Sequence, residues 1–316
     1  MKILALEARP DAKLAHMLQR FEQQFSYPLG NAQHFHVVHG DDYPLFFRAM
    51  GRARCFLAQR EGEIVGALAV VIRRAVLPDG NEEEVGYLGD LKIAPHARGG
   101  RVLLRLAAAA AAWAPRTLTS FFGVVMDGTA ATPDRYTGRI GLPAFEALAR
   151  VVVARFSTND FDEAHNAGVV VVESQVGNSC FRELSAGRYS TPYANAAERS
   201  LVAPEWLMQK DGSACACLED TRRAKRLVLA DGAEMISAHL SCFAYRDIGS
   251  GAVIIRAAVN RARIAGFPAL FVALSTVDSP RLLGALGEHR ATLASATVFG
   301  HGLKENVEWN INTAEI

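Results

Sequence analysis

The segment GGRVLLRLAA, from Gly99, has a counterpart 151 positions later in SGAVIIRAAV, from Ser250. Gly100 meets Gly251, Val102 meets Val253, Arg105 meets Arg256 and Ala107 meets Ala258. The flanking segments fall in the same order on both sides, as an internal duplication requires. This constrains the fold strongly, because a 316-residue chain is about twice a typical domain and each copy must bury a core. The polar stretch STNDFDEAHNAG is the natural link, so the expected units are residues 1–160 and 161–316.

Within the first unit, Leu14, Met17, Leu18, Phe21 and Phe25 recur at helical spacing after Pro10-Asp11 and predict an amphipathic helix. From Cys55 the period changes. CFLAQ, IVGALAVVIRRAVL and VGYLGDLKI, separated by Glu61-Gly62-Glu63 and Pro78-Asp79-Gly80, predict an antiparallel meander. A helix from about Gly100 to Ala114, a strand in TLTSFFGVVM, a turn-rich stretch, a short helix in FEALARVV and a strand end at ARF follow. The second unit reads as strands in ACACLED, RLVLA and MISAHLSCFAY, a helix in SGAVIIRAAVNRARIAG, a strand in ALFVALS and a short helix in SPRLLGALGEH. Strands in LASATVFG and VEWNI close it. The expected class is α/β, or α+β in stricter usage: two domains, each a mixed, largely antiparallel sheet flanked by helices.

Composition narrows the partners. With 34 basic and 33 acidic residues the formal charge is +1, so no overall field gathers nucleic acid or anionic lipid, and neither is expected as a partner. TRRAKR (221–226) adjoins Glu219 and Asp220, carries no interleaved aromatics, and reads as a solvated turn. LLRLAAAAAAWA is interrupted by Arg105 and ends at Pro115, short of the roughly 20 residues that span a bilayer. The opening MKILALEARPD meets Glu7 and Arg9 too soon for an export signal. Five scattered cysteines fit no paired metal-ligand spacing, so reduced thiols, a cytoplasmic location and no metal are expected.

The chemistry concentrates where a long strand turns into a helix. Such a join leaves unpaired N–H groups at the helix start, the helix dipole adds roughly half a positive charge there, and glycines let an anion approach. In the second unit Arg246-Asp247-Ile248-Gly249-Ser250-Gly251 occupies this place. It resembles the arginine-x-x-Gly-x-Gly phosphate loop of the GNAT superfamily of N-acyltransferases. The helix, Gly266, the apolar strand and Ser279-Pro280 follow in that family's register. In the first unit LKIAPHARG resembles the family's approach to the same loop, but Arg98, Gly99, Gly100 and Arg101 supply fewer glycines in a shorter turn. The Arg246 loop is therefore the favoured cradle.

The resemblance implies a tandem arrangement and acetyl-CoA or another acyl-CoA as co-substrate, held by its pyrophosphate at Arg246, Gly249, Ser250 and Gly251, or at Arg98, Gly99, Gly100 and Arg101. A small-molecule amine would attack the thioester directly, so no protein nucleophile is needed. An acid for the departing thiolate and a base for the amine are required. The family's usual tyrosine is replaced by Leu286 in the second unit, and Arg290-Ala291 stands where Gly-Phe is usual. Tyr136 is the candidate acid, and Asp90 the candidate base ahead of Glu84 and His239. His34, His36 and His39 read as residues near the acceptor cleft, or as exposed, rather than as a metal site. The incomplete loop and missing tyrosine leave two rivals, an inactive acyl-CoA-binding or regulatory protein and a purely structural one. Oligomeric state is not implied.

Overall fold

The meander forms as β4 (Arg52–Arg60), β5 (Glu63–Val76) and β6 (Glu82–Ile93), antiparallel throughout, with β1 (Lys2–Leu6) added to the outer edge of β4. The computed structural model describes all of residues 1–316 except 30–32, 130, 140, 162–167, 193–194 and 288–290. The expected first helix is α1 (Ala12–Glu22), capped by the Asp11 carboxylate, which accepts from the Leu14 amide at 2.8 Å. Between α1 and β4 lie β2 (Tyr27–Leu29), β3 (Gln33–Val38) and the short α2 (Leu45–Arg48). After β6 come α3 (Val102–Trp113), β7 (Phe121–Met126), the single turn α4 (Pro133–Tyr136) and β8 (Glu146–Ser157).

The second half supplies β9 (Val169–Val172), α5 (Ser174–Leu184), β10 (Tyr189–Ser190), α6 (Ala196–Arg199), β11 (Glu205–Gln209), β12 (Ala214–Glu219), β13 (Arg226–Leu229) and β14 (Ala238–Tyr245). Then follow α7 (Ile248–Ile264), β15 (Ala269–Ser275), α8 (Ser279–Leu286), β16 (Ala291–His301), β17 (Trp309–Asn310) and a terminal turn, Thr313–Glu315. The long helices lie against the sheet. Ile254, Ile255 and Val259 of α7 are fully buried, which stabilises the packing by about 1.5–3 kcal/mol each.

Among the described residues the main sheet runs β1-β4-β5-β6-β7-β16-β8-β15-β14-β12-β11-β9. Read from either edge, each half contributes five strands in chain order and then exchanges its last. β16 lies against β7, and β8 lies against β15, while β8 and β16 pair with each other at the centre. Each half is thus completed by the other. FEALARVV, expected as a helix, is part of β8: although its residues favour helix, ladders on both sides hold it extended. RLVLA is a strand, but it leaves the main sheet and pairs with β3.

A buried ion network ties the halves together. Arg73 of β5 meets Glu315 at 2.8 Å, Arg199 of α6 meets Glu219 at 2.8 Å, and Arg199 also reaches Glu315 at 3.3 Å. The TRRAKR turn is only partly solvated: Lys225 is buried, its Nζ donating to the carbonyl oxygens of Ala314 and Ile316. Half of the proposed link, 157–168, falls outside the described residues, since 162–167 are not among them. No helix among the described residues is long and apolar enough to cross a membrane.

Candidate functional site

The first strand-to-helix join opens a gap in the sheet. β6 and β7 are parallel and pair only at Gly86–Phe121 and Tyr87–Phe122. Gly123 then lies so close to β6 that a Cβ there would come within 2.7 Å of the Leu88 carbonyl oxygen, so only glycine lets the strands touch before they part. Asp90 and Leu91 form a bulge opposite Leu68, and Asp90 adopts φ +52°, a costly conformation for a residue with a side chain. The gap holds a cavity of about 430 Å³. Leu88 to Leu91 line it from β6, Val124 to Met126 from β7, and Leu103, Ala107 and Ala110 from α3; Tyr136 lines it from α4. Its inner end reaches Phe46 of the first half and Lys225, His239 and Phe271 of the second.

α3 runs along this cavity from Leu103 onward, although Arg98, Gly99, Gly100 and Arg101, just before it, do not line it. Pro95–Ala97 make one 3₁₀ turn, Gly99 takes φ +75°, and Arg101 caps the helix without any side-chain hydrogen bond. The first amides of α3 therefore keep their donors, with the exposed guanidinium groups of Arg98 and Arg101 beside them. Leu103 and Ala107, in the first two turns, face the cavity. An anion at the helix start and an extended chain running inward from it would both find room.

The second join has the same parts in a closed form. β14 pairs with β15 from Ala238 to Leu240 and then diverges, and Cys242 repeats the bulge at φ +49°. Here the gap is occupied by the chain itself. The Asn312 side-chain oxygen accepts from the Cys242 amide at 2.8 Å, and the Thr313 hydroxyl donates to the Phe271 carbonyl at 3.4 Å. Tyr245 closes the mouth by donating to Asp278 at 2.8 Å. The Arg246–Gly251 segment is largely helical rather than a loop, since α7 begins at Ile248. Asp247 caps it, accepting from the Ser250 amide at 2.9 Å and from the Ser250 hydroxyl at 2.7 Å. A carboxylate of the chain thus sits where an anionic ligand would bind; Arg246, Gly249, Ser250 and Gly251, like Arg98, Gly99, Gly100 and Arg101, do not line the cavity.

Asp90 and Tyr136, far apart in sequence, both line the cavity. Burial alone would raise the Asp90 carboxyl, but the Lys92 ammonium at 2.6 Å, His39 and the Tyr43 hydroxyl at 2.5 Å hold it below its usual range. Burial, with a smaller push from Asp134, moves the Tyr136 phenol up to about 12, so it stays protonated at neutral pH. His239 lines the inner end and bonds Thr313 at 3.1 Å; burial, then the Lys225 and Arg199 charges, keep it neutral by pushing it well below the ordinary value. Burial and Arg199 also bring Lys225 down to about 7. Glu84 is exposed on β6 and does not line the cavity. Leu286 is buried at the end of α8, and Arg290 lies outside the described residues.

His34 and His36 lie on β3, whereas His39 is buried and lines the cavity. Its Nδ1 stands 2.5 Å from Glu22 Oε1. Sequence reasoning did not foresee this pair. Glu22 looks like one more polar residue of an amphipathic helix, and nothing in its spacing points to a partner after β3.

Residues 16–133 match the acetyltransferase (GNAT) family, which places the family signal in the first half. No curated protein matches this chain. Among solved structures, Saccharomyces cerevisiae N-myristoyltransferase with bound myristoyl-CoA aligns over 99% of this chain and 87% of its own, at 8% identity and a TM-score of 0.62. A tandem GNAT protein from the clavulanic acid biosynthesis pathway aligns over 95% of this chain and 97% of its own, at 12% identity and a TM-score of 0.57. A GCN5-related N-acetyltransferase from Anabaena variabilis aligns over 95% and 72%, at 12% identity and a TM-score of 0.53. At such identities the likeness is one of fold.

Proposed function

We propose that the chain transfers an acyl group from acyl-CoA to an amine, a reading supported by the GNAT-family match over residues 16–133 and by the fold it shares with a tandem GNAT protein over 95% of its length. The same reading divides the chain at residue 160, puts the cofactor in the first half, and sets the protein in the cytoplasm, where its five free cysteines stay reduced. The observation that carries it is the cavity in the β6–β7 gap, lined by the first two turns of α3, a helix whose start no side chain caps. The pyrophosphate would rest on the α3 amides between Arg98, Gly99, Gly100 and Arg101, with the pantetheine arm running past Leu103 and Ala107 to the bulge at Asp90. An acetyl or longer acyl group then lies between Asp90 and Tyr136.

Attack by the amine nitrogen forms the C–N bond, and collapse of the tetrahedral intermediate breaks the C–S bond. Tyr136 donates to the departing thiolate. Asp90, held by Lys92 and Tyr43, shapes the amine side of the cavity. Arg246, Gly249, Ser250 and Gly251 retain a structural role at the start of α7.

Calorimetry with acetyl-CoA and octanoyl-CoA, followed by CoA release with a panel of amines, tests the reading. Binding with amine-dependent release supports it. Binding without release favours an inactive acyl-CoA-binding protein, and absence of binding defeats both.

A further inference from the structure

We propose that His39, oriented by Glu22, takes the proton from the acceptor nitrogen, and that the acceptor is a primary amine carried on an apolar body. The inference rests on the cofactor lying in the first-half cavity. His39 follows β3 and is held at two points by one carboxylate: its Nδ1 is 2.5 Å from Glu22 Oε1, and its amide donates to Glu22 Oε2 at 3.3 Å. Glu22, at the end of α1, is 1% exposed and His39 3%. With Nδ1 turned to a carboxylate, the neutral imidazole carries its hydrogen there and its lone pair on Nε2. Among the described residues nothing hydrogen-bonds Nε2, and the ring lines the cavity. The rings of Tyr43, Phe46 and Phe47, at 4.9 to 5.4 Å, fix its plane.

The charges around the ring suit a proton acceptor. Asp90 and Lys92 face it from β6 as an ion pair at 2.6 Å, Tyr43 donates to Asp90, and Tyr27 of β2 packs against Lys92. Lys225 lies over Phe46 at 4.4 Å, with its Nζ on the backbone oxygens of Ala314 and Ile316. Donor atoms of Glu22, His39 and Asp90 lie within 4.8 Å of one another, close enough for a metal cage, but Lys92 already neutralises Asp90 and Nδ1 already engages Glu22. The cluster is built to handle a proton.

In the step, the proton leaves the amine nitrogen for His39 Nε2 as the C–N bond forms. The electron pair of the broken C–S bond goes to sulfur, which takes a proton from the Tyr136 phenol, and His39 returns its own to the phenolate through solvent. Phe46, beside His39, lines the cavity together with Phe35, Val37, Leu227 and Phe271, and the charged groups of the lining are paired within the protein. No unpaired charge is left for a second ionic group of the acceptor.

The test uses the full chain with acetyl-CoA as donor and 2-phenylethylamine, octylamine, lysine, spermidine and hydroxylamine as acceptors. The apolar amines should be preferred to lysine and spermidine. His39→Gln should lower kcat with 2-phenylethylamine about 100-fold or more, while acetyl-CoA affinity stays within about twofold. Hydroxylamine, a weak base whose adduct with the thioester carbonyl gives up its nitrogen proton to water more readily, should lose far less. Glu22→Gln should lower kcat about tenfold, and His39→Gln should lack the acid limb of the wild-type pH profile. Retention of kcat and the limb in His39→Gln overturns the proposal. So does a preference for lysine or spermidine, or a wild-type protein that binds acetyl-CoA without amine-dependent CoA release. Failure to bind acetyl-CoA at all would instead strike the cofactor reading.

Discussion

The two halves share a strand, a left-handed bulge and a helix, yet differ in what fills the space between them. At the first join the bulge residue is Asp90, the helix start is uncapped, and a cavity of about 430 Å³ lies in the gap. At the second the bulge residue is Cys242, its amide is taken by Asn312, and Asp247 covers the helix start. The comparison teaches that a phosphate-loop motif and a phosphate site are different things. Gly249-Ser250-Gly251 has the better glycine spacing, but a neighbouring carboxylate uses the same amide donor. The poorer motif keeps its donors and has room beside them.

The sharpest way to break this contrast is to damage each helix start in turn. Gly100→Glu with Arg101→Ala puts a carboxylate among the α3 amides and removes a cation, and should weaken CoA binding about a thousandfold, or ~4 kcal/mol. Arg246→Ala with Gly249→Glu should leave the affinity within about twofold. Calorimetry on both variants measures this.

Next in size is the network where the halves meet. Glu315→Gln strips Arg73 of its counter-charge and should cost ~3 kcal/mol in urea unfolding at pH 7. Burial would raise the Glu315 carboxyl, but Arg73 and Arg199 hold it at about 2 against an ordinary 4.5. Its contribution is therefore fully present above about pH 4.5 and is lost as pH falls from there through about 2. The difference between wild type and variant should shrink over that window. Tyr136→Phe should lower kcat about tenfold without changing CoA affinity, since only the departing thiolate meets the phenol. The smallest effect is expected from Asp247→Ala, which removes a cap worth ~1 kcal/mol and lowers Tm by roughly 2 °C, with no change in CoA affinity.

Much of the fold was legible because alternation and turn residues mark the meander from Cys55 to Ile93 plainly. The family resemblance rested on the two joins, and both are present. β8 was misread in part because Glu146 to Arg150 are good helix formers, and only the ladders with β15 and β16 override them. The exchange of the last strands leaves no local signal, since either pairing would bury the same apolar faces. The Asp247 cap could have been read from the Asp-Ile-Gly-Ser spacing at a helix start, a capping pattern that competes with anion binding. The Glu22–His39 pair could not, because it joins a helix end to a turn 17 residues on.

The account stands or falls on one cofactor site in the first half. Calorimetric titration of the wild-type chain with CoA should give one site per chain, and Gly100→Glu with Arg101→Ala should abolish it at the same concentrations. Two sites per chain, or a single site that survives this change and disappears in Arg246→Ala with Gly249→Glu, would contradict it.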